Sequence, residues 1–476
     1  MKFFAFAVRT KVLTTRFVSL VPALTALIVS TLLVSGCDDG GSSSSDSEES
    51  SGRSLRMVNA VVGSVSIGWE ISESDQGSVS YGRASNAISI IDGEKPLTFY
   101  QVQADGDLDY FDLAFDFDLE GDSDVLIVLY GTLDSLDYLI IEEETFDLDE
   151  DEGRVGLLNL SSAFPSLDLY LTDDEDGVFA ATPLVASDFA LFSGVETFTE
   201  GDFELELTAT GDKTVIFDAG AVSIDEDRNH FYLVMDFSSN SQSLILLEVV
   251  GSQAGRQLVN EESVGYLRFF NGIADYTAVA VYLGDTSGSP LFENQRFQQV
   301  TTHAELDPGA YNVNITPTGV TDTFFFEGQI NIVSGLYNTL FVAGLSQDED
   351  VGGNLLVDEV RPIDTGALVS FINASPSNEA VDVYLLLPGQ PITDSVPVVS
   401  ALAPFLSFDF EQEAGEFQLS LIQSSNDAVI LSPIPIAFEV GEVTEIFFTD
   451  AQGGGTPGEV TVGRTDIDCP QRAERG

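Results

Sequence analysis

The groups in this chain most able to do chemistry are its carboxylates, and the chemistry they suggest is cation binding. Aspartate and glutamate total 78 among 476 residues. Two stretches have loop-like spacing, Asp105-Gly106-Asp107-Leu108-Asp109 and Asp116-Phe117-Asp118-Leu119-Glu120-Gly121-Asp122-Ser123-Asp124. Calcium needs about six to eight oxygens converging from a looped backbone, with a Glu closing a twelve-residue loop. Counted from Asp116, the twelfth position is Ile127, so that pattern fails. The stretch reads better as a strand with Phe111, Leu113, Phe115, Phe117 and Leu119 on one face. Asp112, Ala114, Asp116, Asp118 and Glu120 then share the other, and carboxylates aligned along a solvated face do not converge. The candidates left for a weak Ca²⁺ site are Asp122 and Asp124 in the following turn, and Asp174 and Asp176 in the loop Asp173-Asp174-Glu175-Asp176-Gly177. No other cofactor is expected.

Support for catalysis is thin. The two histidines, His230 and His303, lie far apart and neither has a second His at metal-ligand spacing. There is no G-x-S-x-G elbow, P-loop or dinucleotide fingerprint. With so many acids, some carboxylate pair is inevitable and none stands out for glycoside hydrolysis. The expectation is a protein that is not an enzyme.

Charge narrows the partners. Eighteen Lys and Arg against 78 acids give a formal charge of −60. Such a surface argues against nucleic acid, whose phosphates need clustered cations. It suits solubility and high-salt surroundings, where screening shortens repulsion.

The amino-terminal residues read as an export signal. Lys2, Arg9, Lys11 and Arg16 are followed by the apolar stretch Phe17 to Val34, with no acid before Asp38. The run Leu33-Val34-Ser35-Gly36-Cys37 resembles the lipobox of bacterial lipoproteins. That resemblance implies cleavage before Cys37 and lipidation (palmitate among the acyl groups) of its thiol and new amino terminus. Two or more acyl chains, at about 0.8 kcal/mol per buried methylene, anchor a protein stably where one does not. Cleavage leaves 14 basic and 78 acidic residues, a charge of −64. Asp38 to Gly52 contains no apolar residue and should be a flexible tether. Once Cys37 is acylated, Cys469 has no intramolecular partner.

The elements that position everything else repeat along the chain. Four segments begin alike: Leu55-Arg56-Met57-Val58-Asn59-Ala60, Val155-Gly156-Leu157-Leu158-Asn159-Leu160, Leu267-Arg268-Phe269-Phe270-Asn271-Gly272 and Val369-Ser370-Phe371-Ile372-Asn373-Ala374. Eleven residues after the last three asparagines come Tyr170, Tyr282 and Tyr384, each closing an alternating stretch such as Val279-Ala280-Val281-Tyr282. In the first segment Trp69 stands in place of the tyrosine. A turn glycine then opens another strand at Gly201, Gly309 and Gly415. Period-two alternation with Gly, Pro, Asn and Asp turns indicates sheets, and no stretch after the leader sustains a helical period. The repeated Asn is expected to satisfy backbone groups near a turn. The Tyr is expected to bury its ring in a core and bond its hydroxyl to backbone.

At these motifs a family resemblance appears. Phe371-Ile372-Asn373-Ala374-Ser375-Pro376, then Ala380-Val381-Asp382-Val383-Tyr384, then Gly415-Glu416-Phe417, resembles the bacterial domain-of-unknown-function family 4397, most clearly over residues 366–450. The resemblance implies exported envelope proteins with sandwich repeats and brings no established activity.

The expected fold is therefore all-β, with tandem immunoglobulin-like antiparallel β-sandwich domains after a cleaved lipoprotein signal peptide. The expected divisions are a signal peptide at 1–36, a linker at 37–53, sandwiches at 54–150, 151–262, 263–364 and 365–452, and a flexible tail at 453–476. The expected role is a lipid-anchored protein of the bacterial cell envelope, on either membrane, with a non-catalytic binding or adhesion function. The alternatives are an envelope scaffold and, behind it, a hydrolase. Its partners would be the membrane, through the acyl chains, and an unidentified protein or glycan.

Overall fold

Alternating apolar and polar residues leave a strand one dry face, and two such faces must meet. The computed structural model describes residues 53–464 apart from 91–92, 103–107, 120–122, 144–150, 173–176, 239–242, 252–253, 348–349 and 456–457. The leader, Cys37, the tether, Cys469, Asp122, Asp174 and Asp176 lie outside the described residues.

The third sandwich shows the plan. Its first sheet runs Ala304–Leu306, Gly265–Ile273, Tyr337–Leu345, Asp350–Val357. Its second runs Phe292–Arg296, Ala278–Leu283, Gly309–Pro317, Phe326–Ile332. Between them Leu267, Phe269, Val279, Val281, Val313, Ile315, Leu340 and Val342 form the core. The other three sandwiches follow the same order, two of them with an additional short strand. The sandwich architecture thus holds, with connectivity unlike the seven-stranded immunoglobulin domain.

The sheets are not wholly antiparallel, as the sequence had suggested. Each opening strand pairs in parallel with a late strand: Arg53–Val62 with Asp124–Thr132, Glu152–Leu160 with Asn229–Asp236, Gly265–Ile273 with Tyr337–Leu345, and Ala367–Ala374 with Val443–Thr449. The cause is where the chain changes sheets. In the third sandwich Gly335 donates its N–H to Val264 O (2.9 Å), so the late strand sets off beside the start of the opening strand. Tyr266 then lies opposite Tyr337, and Asn338 opposite Val357. The chain consequently enters and leaves this sandwich at the same end.

The opening strands are apolar on both faces, which is why they read as near-continuous runs. Their inner faces fill the sandwich cores. Their outer faces meet each other in pairs. Val58, Ala60, Leu126 and Val128 of the first sandwich pack against Leu158, Leu160, Phe231 and Leu233 of the second. Phe270, Phe341 and Ala343 of the third pack against Ile372, Ala374 and Phe447 of the fourth. The sandwiches therefore do not stand alone. They share buried cores two by two.

Part of the expected tail is ordered. Glu459–Arg464 pairs with Val443–Thr449 and completes a sheet edge, with Val460 against the fourth core. The stretch has too few apolar residues to fold alone, but one valine facing an existing core and a ladder partner suffice. The recurring turn glycines have positive φ, +144° at Gly201, +147° at Gly309 and +157° at Gly415, where an L side chain is rarely accommodated.

Candidate functional site

The four motif asparagines occupy one equivalent place late in each opening strand, and all are fully buried. Alternation puts Asn271 on the face shared by Leu267 and Phe269, in an otherwise apolar layer. Its Oδ1 accepts the N–H of Ile273 (3.0 Å) and its Nδ2 donates to Gln295 O (2.9 Å) in the edge strand of the opposite sheet. Asn373 accepts from Ser375 (3.2 Å) and donates to Leu402 O (3.0 Å); Asn59 accepts from Val61 (3.0 Å) and donates to Val79 O (3.0 Å). Asn159 accepts from Ser161 (3.0 Å) and donates to Phe164 O (2.7 Å). Three of the amides bridge their own turn to an edge strand of the opposite sheet, whereas Asn159 ties together its own connecting loop; in all four both polar ends are engaged internally.

The tyrosines lie outside the sandwich cores, although the Tyr170 and Tyr282 rings are buried as expected. Leu169, Val281 and Val383 point into the sandwiches, so Tyr170, Tyr282 and Tyr384 must project from the outer face of the second sheet. Trp69 does point into a core and is not their equivalent. The Tyr170 hydroxyl accepts a hydrogen bond from Lys213 Nζ (3.2 Å) rather than bonding backbone.

That lysine builds one of the two most exposed apolar features among the described residues. Lys213 Nζ also donates to Val178 O and Ala181 O, both at 2.7 Å, at the end of the one-turn helix Gly177–Ala180. Val178 is buried beneath. Beside it burial, the neighbouring Asp218 carboxylate and Glu204 push the Glu206 carboxyl up, against a bond from the Val178 backbone. On this clamped turn the Phe179 side chain stands 82% exposed. The loop joins Ser166–Thr172 to Val185–Asp188. Its counterpart in the fourth sandwich joins Val381–Leu386 to Val399–Leu402 and presents Leu387 and Val396, the latter 85% exposed.

The candidate ion sites resolve differently. Asp124 uses its Oδ1 to accept the Ser54 N–H (2.7 Å) at the start of the first sandwich. Asp112 projects into solvent while Phe111, Leu113 and Phe115 pack on the core. Among the described residues, no group of three or more His, Cys, Asp and Glu side chains is placed to hold a metal ion.

Both histidines belong to buried charge networks. His230 Nε2 accepts the Asp225 N–H (3.0 Å), and its Nδ1 lies 3.8 Å from Glu248 Oε1. Burial alone would raise the Glu248 carboxyl. Contacts from His230, Arg256 and Tyr232 outweigh it and hold the carboxyl below its ordinary range. His303 Nε2 lies 3.3 Å from Asp358 Oδ2, which also accepts from Thr339 Oγ1 (2.8 Å). Arg268 pairs with Asp358 (3.5 Å) and reaches across to Glu445 of the fourth sandwich. Arg56 pairs with Glu143 at the equivalent place in the first sandwich. Burial raises the Glu143 carboxyl, opposed by that guanidinium.

Sequence reasoning missed the Phe179 turn and these arginines. A signal for both was present. Lys213 is one of two lysines after the leader, and Arg56 and Arg268 interrupt otherwise apolar runs at the same distance from the motif Asn.

Residues 265–384 match the family model described as Domain of unknown function (DUF4397). The match supports the resemblance read from the motifs; it runs from the opening strand of the third sandwich to Tyr384 of the fourth, beginning before residues 366–450 and overlapping them at 366–384. No curated protein matches the chain. A solved structure of a Streptococcal ancillary pilin is similar at 11% identity and a TM-score of 0.12, covering 62% of this chain and 98% of that one.

Proposed function

We propose that this is a lipid-anchored protein of the bacterial cell envelope that binds a partner through its second-sheet loops and carries out no catalysis. The observation that supports this most is the Phe179 turn. An exposed aromatic is unfavourable in water, and here it is held by Lys213 and backed by Val178 instead of folding down. A rigid aromatic anchor loses little conformational entropy on docking, as interface hot spots do. The fourth sandwich offers Leu387 and Val396 in the corresponding loop, which suits a partner engaged at two places. The surrounding acidity favours a partner that is neutral or basic, protein or glycan, and disfavours nucleic acid.

The anchor and the loop have separate tests. Cys37→Ala should leave the protein unlipidated and in the soluble fraction after cell lysis. Its persistence in the membrane pellet would refute the anchor. Phe179→Ser should leave the urea midpoint unchanged, because the ring is already exposed. It should lower retention of the purified protein on whole envelopes at least tenfold. Unchanged retention by Phe179→Ser, also when combined with Val396→Ser, would refute loop-mediated binding.

A further inference from the structure

The junction of the third and fourth sandwiches gathers acidic side chains around a small cleft. A small cleft, with about 10 Å³ accessible to a water-sized particle, lies between the two first sheets beside the Phe270–Phe447 contact. It is lined by the carboxylates Asp358, Asp409 and Glu445 and by the hydroxyls of Thr339, Ser370 and Ser407. Asp409 lines the cleft with its Oδ1 accepting from Ser370 Oγ at 2.5 Å, and burial pushes its carboxyl up. Glu445 is 3% exposed. Its Oε1 faces Arg268, but its Oε2 is buried with no hydrogen-bond partner. Asp358 and Glu445 thus share the Arg268 guanidinium, His303 adds a contact to Asp358, and Asp409 is bonded to Ser370.

A buried carboxylate oxygen without a donor costs several kcal/mol unless a proton or a cation reaches it. The innermost space admits about one water-sized particle, comparable to a desolvated small ion. Because the carboxylates do not converge as a divalent ion requires, the donors suit a weakly held ion taking hydroxyl and single carboxylate oxygens. We infer that the cleft between the third and fourth sandwiches binds a monovalent cation, Na⁺ or K⁺, through Glu445 with hydroxyl donors from Ser370 and Ser407. The ion would link the two sandwiches across their junction and make the pairing depend on salt identity.

The test is urea unfolding of the full-length protein in NaCl, KCl and choline chloride at matched ionic strength. Na⁺ or K⁺ should raise the midpoint saturably above the choline value, which reports screening alone. Glu445→Gln keeps the shape and removes the charge, so it should abolish the difference. Ser370→Ala should weaken the apparent affinity severalfold, and it serves alone if Glu445→Gln does not fold. Equal midpoints in the three salts would overturn the site. So would a difference that survives in Ser370→Ala and in any folded Glu445→Gln.

Discussion

Phe270→Ala should cost about 3–5 kcal/mol, the range for deleting a fully buried aromatic ring. Phe270 stacks on Phe447 with ring centroids 3.9 Å apart and planes 10° apart, and both rings are completely buried. The surrounding cluster is small, with Phe341, Ala343, Ile372 and Ala374 as its other buried members. Neither sandwich core contains Phe270, so the loss falls on the junction. The expected result is that the third and fourth sandwiches, whose shared cluster should make them unfold together in the wild type, give two separate urea transitions in the variant. Phe269→Ala supplies the control, because that ring faces inward and its loss should lower the third sandwich itself. A single transition at the wild-type midpoint for Phe270→Ala would show that the junction contributes no cooperativity.

The second large effect is expected at Asn271. Alanine there strands the Ile273 N–H and the Gln295 carbonyl inside an apolar layer. Each buried group left unmatched costs about 1–3 kcal/mol, so Asn271→Ala should lose about 2–5 kcal/mol in equilibrium unfolding. Asn271→Asp is more telling. Ionised, it still accepts from Ile273 but faces the Gln295 carbonyl with a buried negative charge. Burial raises the pKa of such an aspartate in the folded state above its unfolded value, so its protonated form is the one compatible with folding. The deficit should therefore be large at neutral pH and shrink on acidification, as the protonated carboxyl becomes able to donate to Gln295. A deficit independent of pH would mean the amide nitrogen's bond across the sandwich carries little.

Much of this architecture could be read from residue order. Alternation in Val279-Ala280-Val281-Tyr282 identifies the strand, and the regular return of the motif Asn identifies the sandwiches. The same alternation, followed one step further, places Tyr282 outside the core once Val281 is inside. What Leu267-Arg268-Phe269-Phe270 could not reveal was the occupant of its second face. A continuous apolar run says that both faces are dry without saying what covers them. The Arg268–Glu445 pairing was hidden for the same reason, since it joins residues from different repeats. Phe179 was hidden by its surroundings. One aromatic in an acidic loop can fold down or stand out, and Lys213, supplied by the loop between Gly201–Ala209 and Val215–Ile224, decides which. Asp122, Asp174 and Asp176 lie outside the described residues, while Asp124 serves a backbone N–H that no spacing rule would indicate.

Because the opening strand starts where the last strand ends, the third sandwich presents both of its chain connections at one pole. Traction on those two ends would load the ladder hydrogen bonds one after another, as in opening a zipper, instead of shearing many at once. Such a body should yield at low force, paying out chain while its covalent links stay intact.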